Sequence, residues 1–372
     1  MKRKSTVFII GGHLTPAQAI YDGIKNQKNL KIFFVGIKHT ILFDKSLSQE
    51  YQFAKKNNIT FLPLNTGKLY RFLSMKGMIS FLKIPIGFFQ AFYYVVKYRP
   101  KIIISFGSYV SVPVVFWGGL FRVKVFTHEQ ASIPGLASRI TSVFSNTIFT
   151  TWKDTEKYFK KISLRDKNII FTGNILREEI FKSNTDNFKF NKKLPILYIT
   201  GGNQGSHIIN QIIFKNIKKL LKQYNIIHQT GSNTIFDDYK KALQLKETLP
   251  AILRARYIIR RGIWGDEIGE VFRKTDIIIS RAGANTVYEI LTLNKKAILI
   301  PISSSSFGEQ YENAKIARKY SDTISIISES SLSFNTLNTE LKKLQERENT
   351  KKIDLPRNAS KIIIKRILKN IA

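Results

Sequence analysis

The residues Ser280-Arg281-Ala282-Gly283-Ala284-Asn285-Thr286-Val287-Tyr288-Glu289 follow an apolar run, Ile277 to Ile279, and lead into a helical pattern. This places backbone amides and one carboxylate at a helix start. The first turn of a helix leaves N–H groups unpaired and carries about half a positive charge, so the junction suits an anion. Two similar junctions occur: Ile9-Ile10-Gly11-Gly12-His13-Leu14-Thr15-Pro16, and Tyr198-Ile199-Thr200-Gly201-Gly202-Asn203-Gln204-Gly205-Ser206. Within them two side chains have chemistry to offer. Glu289 can accept hydrogen bonds from a pair of hydroxyls, although Thr286-x-x-Glu289 also fits a capping box. His13 sits between glycines and a helix N-terminus, where the dipole favours a neutral imidazole able to take a proton. Holding the loop, or binding a phosphate, is its alternative role.

The elements that position these residues follow from length and pattern. A chain of 372 residues exceeds the usual size of one core, so two domains are expected. Apolar runs at 6–10, 31–35, 60–63, 101–105, 124–127 and 147–151 alternate with helical patterns, and so do runs at 196–200, 225–229, 255–259, 277–280, 297–300 and 323–327. Such alternation predicts α/β domains with parallel sheets covered on both faces, whose ligands sit at the carboxyl ends of the strands. We expect an N-terminal domain over 1–176, a polar and basic linker over 177–195, a C-terminal domain over 196–345 and a basic helical segment over 346–372 that crosses back to the N-terminal domain. Thr15, Pro16 and Gln18 read as N-cap, first helical position and capping-box partner of the first helix.

Charge and composition narrow the ligands. Sixty Lys and Arg against 26 Asp and Glu give a formal net charge of +34, which suits an anionic partner, with a general Lys, Ile and Asn bias as the other source of the excess. There are no cysteines, which excludes disulfides and thiolate metal sites. The five histidines show no ligand spacing and no Asp-x-Asp occurs, so neither metal nor cofactor is expected. Lys2-Arg3-Lys4 leads directly into a strand pattern, and we expect that end to belong to the fold. The uncharged stretch 102–121 is long enough to span a membrane, but Gly107, Ser108, Ser111, Pro113 and Gly118-Gly119 favour a buried strand, a turn and a buried helix.

Five motifs in one order carry a resemblance: Gly-Gly-His-x-x-Pro at 11–16; His128-Glu129-Gln130 with Pro134-Gly135-Leu136-Ala137; Thr172-Gly173-Asn174 with Arg177; Gly-Gly-x-Gln-Gly at 201–205; and Ser-Arg-Ala-Gly-Ala-x-Thr-x-x-Glu at 280–289. Over roughly residues 5 to 320 the chain resembles the MurG-like family of peptidoglycan N-acetylglucosaminyltransferases, which convert lipid I to lipid II in cell-wall biogenesis. The resemblance implies GT-B architecture, two Rossmann-like doubly wound domains facing a central cleft. It implies UDP-N-acetylglucosamine on the C-terminal domain and, on the N-terminal one, an undecaprenyl-diphosphate-linked muramoyl-peptide acceptor. On the donor side it brings in Arg177, Asn203, Gln204, Gly205 and Ala284 to Tyr288, with Glu289 at the ribose, Trp264-Gly265 at uracil, and Glu309 and Gln310 at the sugar. On the acceptor side it brings in Gly11, Gly12, Thr15 and Glu129, with His13 as general base toward the acceptor's 4-hydroxyl.

Several positions depart from the family pattern. Phe8-Ile9-Ile10 replaces an upstream Gly-Gly-Thr, Ala131 stands for an asparagine, Asn203 for a serine, Ile175 for a proline, and Val112 interrupts Ser-Gly-Pro. A related transferase or UDP-sugar epimerase acting on another substrate is the alternative enzyme. A basic nucleic-acid binder is the non-enzymatic one, for which no recognised module appears, so no nucleic acid is expected. Between Leu69 and Lys97, Tyr70, Phe72, Phe81, Phe88, Phe89, Phe92, Tyr93 and Tyr94 interleave with Lys68, Arg71, Lys76, Lys83 and Lys97. That mixture, and the basic tail 361–369, suit peripheral attachment to an anionic membrane surface, on the cytoplasmic face, with packing of the tail helix across the domains as its alternative role.

Overall fold

The computed structural model describes residues 4–39, 47–67, 75–160, 168–190, 193–303 and 308–371, the backbone alone over 75–79. Lys68, Tyr70, Arg71 and Phe72 of the aromatic and basic stretch lie outside the described residues, as do Lys2, Arg3 and Ser304 to Ser306. The chain forms two compact units, Met1–Leu176 with Pro356–Ala372, and Arg177–Leu355.

In unit 1, strands and helices alternate: β1 (Ser5–Ile10), α1 (Leu14–Ile24), β2 (Leu30–Gly36), α2 (Gln49–Lys56), β3 (Thr60–Pro63), α3 (Met75–Tyr98), β4 (Ile102–Ser105), α4 (Ser111–Leu120), β5 (Lys124–Glu129), α5 (Leu136–Phe144), β6 (Thr147–Thr150), α6 (Glu156–Lys160) and β7 (Asn168–Phe171). Unit 2 continues with β8 (Ile196–Thr200), α7 (His207–Leu221), β9 (Asn225–Gln229), α8 (Asp238–Glu247), α9 (Ala251–Arg254), β10 (Tyr257–Arg260), α10 (Asp266–Lys274), β11 (Ile277–Ser280), α11 (Ala284–Thr292), β12 (Lys296–Leu299), α12 (Glu309–Tyr320), β13 (Ile324–Ile326) and α13 (Phe334–Glu346). The last helix, α14 (Ala359–Lys369), returns to unit 1.

Both sheets are parallel, seven strands in the order β3-β2-β1-β4-β5-β6-β7 and six in the order β10-β9-β8-β11-β12-β13. The strand alternation explains the apolar runs. Val7 and Ile9 of β1 enter one core with Ile20 and Ile24 of α1 and Ile363 and Ile367 of α14. Phe8 and Ile10 enter the opposite core with Ala91 and Val95 of α3 and Val114 and Val115 of α4. Both faces of the strand are covered, which is why it reads as continuously apolar. Each of the Val, Ile and Phe side chains contributes about 1.5–3 kcal/mol by leaving water.

Stretch 102–121 is the buried strand β4, a turn, and α4. Among the described residues no helix is long and apolar enough to cross a membrane. Three local expectations are corrected. The first helix starts earlier than Thr15: His13 is its N-cap, extended at φ −142° and ψ 97°, with no side-chain cap. Pro16 is tolerated in the first turn because its missing N–H would have had no helical partner. The strand expected from Ala255 begins at Tyr257, since Ala255 still closes α9. β7 was not anticipated, being a four-residue edge strand.

The polar stretch after residue 176 lies as a strap on unit 2. Glu270 of α10, fully buried, accepts hydrogen bonds from Thr185 Oγ1 and from the amides of Asn187 and Phe188, all at 2.8 Å, and pairs with Lys274 at 2.9 Å.

Candidate active site

In each sheet the strand order reverses beside the first strand, between β1 and β4 and between β8 and β11. At such a reversal the loops leaving the two strands diverge to opposite faces and open a crevice for a ligand. In unit 2 these loops are Gly201–Gly205 after β8 and Arg281–Gly283 after β11. In unit 1, Gly11–Gly12 follows β1 and Phe106–Val110 follows β4.

The unit 2 loop is held through its carbonyls. Asn203 O accepts from both the amide and the hydroxyl of Ser232 at 3.0 Å, and Gln204 O from the amide of Asn233 at 3.2 Å. Gly205 has φ +82°, and a Cβ there would stand 2.0 Å from Thr230 O, so no larger residue fits. Behind it, Tyr198 Oη donates to Gln229 Oε1 at 2.7 Å, and Gln229 Nε2 donates to Gly202 O at 3.2 Å. Burial pushes the Tyr198 hydroxyl up to about 12, so it remains a donor. Neither Tyr198 nor Gln229 was singled out from the sequence, although a buried glutamine at the end of β9 is the signal that could have found this support.

On the other loop, Gly283 is the N-cap of α11 and Ala284, Asn285 and Thr286 form its first turn. Val287 and Tyr288 were expected at the ligand, but both side chains are fully buried and the amide of Val287 bonds Gly283 O at 3.0 Å. They belong to the core. The capping-box alternative for Glu289 is also corrected, because its carboxylate turns to Arg177: Nε donates to Oε1 at 2.8 Å and Nη2 to Oε2 at 2.9 Å. Burial works against the guanidinium charge and Glu289 more than offsets it, leaving the pKa of Arg177 raised. Two positions expected at different parts of one nucleotide are thus a single bidentate pair.

Gln310, at the start of α12, accepts the amide of Ile302 through Oε1 at 3.1 Å. Beside it Glu309 has a raised pKa, from burial partly countered by Asn313. Ser303, just after β12, is secured by a pair the sequence did not suggest: Arg281 Nη2 meets Glu329 Oε1 at 2.6 Å, and Glu329 Oε2 accepts Ser303 N at 2.9 Å. Gly265 caps α10 with φ +57°, and the neighbouring Trp264 is 54 % exposed rather than core.

In unit 1 the side chain of His13 is exposed at the head of α1. Its protein surroundings lower its pKa by desolvation, against a raising influence from Glu50. Thr15 lies inside the first turn. His128 is buried, with Nε2 3.1 Å from Gly173 O, and desolvation lowers its pKa to about 4, so it is neutral. Glu129 folds back on its own turn, accepting Ala131 N through Oε1 at 2.8 Å. Ala131, the departure from the family asparagine, is buried there. Among the described residues no group of three or more His, Asp or Glu is arranged to hold a metal ion.

Two doubly wound parallel units, each with a glycine turn at its switch point, define the GT-B architecture. Residues 10–150 match the glycosyltransferase family 28 N-terminal domain and residues 196–370 the family 28 C-terminal domain. A Borreliella burgdorferi relative, a UDP-N-acetylglucosamine--N-acetylmuramyl-(pentapeptide) pyrophosphoryl-undecaprenol N-acetylglucosamine transferase, is 32% identical over 386 residues, covering 100% of this chain and 98% of its own. The chain belongs to that transferase family. Among solved structures, Acinetobacter baumannii MurG superposes with a TM-score of 0.67 at 21% identity, covering 98% of this chain and 99% of its own. A Neisseria meningitidis UDP-GlcNAc 2-epimerase bound to UDP-GlcNAc does so at 0.60 and 15%, covering 98% and 100%. These two likenesses are of fold.

Proposed function

We propose that this chain is an inverting glycosyltransferase that moves N-acetylglucosamine from UDP-N-acetylglucosamine to the 4-hydroxyl of the muramoyl sugar of lipid I, giving lipid II for peptidoglycan synthesis. Full-length identity to transferases of this name carries the substrate assignment, and the switch-point turns with the Arg177–Glu289 pair support it. Unit 2 takes the donor. Glu289 accepts from the ribose hydroxyls, the amides of Gly201–Gly205 and Arg177 receive the diphosphate, Gly265 contacts uracil, and Gln310 with Glu309 contacts the sugar. Unit 1 takes the acceptor at Gly11, Gly12 and Glu129. His13 accepts the 4-hydroxyl proton while that oxygen bonds to the anomeric carbon from the face opposite UDP. The bond from that carbon to the β-phosphate oxygen breaks, and UDP leaves with the electron pair. Helix N-termini and Arg177 stabilise the charge that develops on it.

The enzyme is peripheral on the cytoplasmic face of the cell membrane. Supporting this, α3 exposes Leu82, Ile86, Phe89, Tyr93 and Val96 at helical spacing, Phe89 being 75 % exposed, and α4 ends beside them in exposed Leu120 and Phe121. An apolar surface of this kind, flanked by Lys83 and Lys97, marks a docking face. Transfer of radiolabel from UDP-N-acetylglucosamine to lipid I by the purified chain tests the reaction. Label that stays on the nucleotide, or returns as an epimerised sugar, would overturn it.

A further inference from the structure

The first glycine turn is gripped from two sides. Ser108 Oγ donates to Gly11 O at 2.9 Å, and Glu50 Oε1 accepts the amide of Gly12 at 2.9 Å. Glu50 occupies the first turn of α2, a helix anchored independently of the turn. Ser48 Oγ accepts Tyr51 N at 3.1 Å and donates to Ile37 O at 2.6 Å, while Phe53 meets the edge of Tyr21 on α1 with ring centroids 5.7 Å apart. The Glu50 stem lies against the turn, since a Cβ built on Gly11 would stand 3.1 Å from its Cγ. A carboxylate is therefore fixed to the residue before His13.

We infer that Glu50 is a positioning residue for transfer, holding the turn that presents His13 through the Gly12 amide and stabilising the imidazolium formed when His13 has taken the acceptor proton. This rests on His13 being the base, as proposed above. The arrangement repeats the logic of a carboxylate that supports a catalytic histidine without touching substrate. Of the titratable groups near His13, Glu50 from α2 raises its pKa, while His128 at the end of β5 has its own pKa lowered in part by His13. His128 is neutral, so Glu50 supplies the charge that raises the basicity of His13 against its desolvation. Removing that charge makes His13 a weaker base that becomes neutral at lower pH.

The test uses the full chain with Glu50→Gln, which keeps an acceptor for the Gly12 amide, and Glu50→Ala, which does not. Glu50→Gln should lower kcat roughly ten- to a hundredfold, the scale of a partial loss of general-base catalysis, with KM for UDP-N-acetylglucosamine unchanged. The acid limb of its kcat/KM profile should move to lower pH, together with the His13 midpoint in an NMR titration. Glu50→Ala should cost more, and Glu50→Asp should recover part of the loss. In a His13→Ala background, Glu50→Gln should cost nothing further. A folded Glu50→Gln protein with unchanged profile and midpoint, or losses that add in the double variant, overturns the inference while leaving His13 as base. A fully active His13→Ala protein overturns both.

Discussion

Arg177 and Glu289, 112 residues apart in sequence, meet through two parallel hydrogen bonds, and the acid is the buried member: its side chain is 3% exposed against 27% for the arginine. The asymmetry decides what each deletion does. Arg177→Ala strands a carboxylate away from water, whereas Glu289→Ala leaves a guanidinium able to reach solvent. Arg177→Ala should therefore destabilise unit 2 by about 1–3 kcal/mol, below the full cost of breaking a buried pair because the arginine is partly exposed. Glu289→Ala should cost less, and equal urea midpoints for the two variants would refute the asymmetry.

Ligand binding tests the acid separately. Glu289→Ala should weaken UDP binding by about 1–3 kcal/mol, the worth of hydrogen bonds to a charged acceptor. Calorimetry on the folded variant reads this directly, and wild-type affinity would mean that Glu289 serves only to hold Arg177.

His13→Ala should lower turnover far more than UDP affinity, because the nucleotide contacts proposed here all lie in unit 2. Equal losses in kcat and in donor affinity would remove the base assignment. Transfer should persist in EDTA, and a collapse there that added divalent metal restores would place a metal in the reaction.

Acid should loosen the strap that follows residue 176. Burial works against the Glu270 charge, but Lys274 and the amides of Phe188 and Asn187, with Thr185, outweigh it and hold the pKa at about 2, against an ordinary 4.5. A depressed carboxylate stabilises the fold above its unfolded pKa and loses that contribution as pH falls through the folded value. We expect about 1–3 kcal/mol, allowing for solvent screening, to disappear between pH 4.5 and 2 in the wild type. A Glu270→Gln protein whose unfolding keeps the wild-type pH dependence across that window would refute the account.

Flotation with anionic vesicles should show binding that weakens with salt, because attraction between charges is screened over about 10 Å at 0.1 M ionic strength. Charge reversal at Lys76 and Lys83 should weaken it further, and Phe89→Ser should weaken it at every salt concentration, with UDP affinity unchanged throughout. Retention through both high salt and alkaline carbonate would contradict peripheral attachment.

Much of this was legible in the amino-acid order because parallel strands covered on both faces announce themselves as unbroken apolar runs. Ile277 to Ile279 and Val7 to Ile10 are examples. β7 escaped because an edge strand of four residues carries too little pattern. The glycine turns were legible for a similar reason, since backbone chemistry there depends on the absence of side chains. What could not be read was where long polar side chains end. Glu289 could equally have capped its own helix, and its pairing with Arg177 depends on how the strap crosses α10. Glu50, Gln229 and Glu329 reach their loops from other elements and belong to no local motif.

The return of α14 to unit 1 has a consequence for biosynthesis. Ile363 and Ile367 belong to the same core as β1 and α1, and Lys101 Nζ donates to Ile371 O at 3.1 Å. Nascent domains ordinarily fold in the order in which they leave the ribosome. Here the residues of unit 2 have all been made by position 355, while the first unit to emerge still lacks one wall of its interior until the last residues of α14 are free. The half translated first is thus the half finished last, and for that interval the apolar α1 face that α14 covers stands open to solvent.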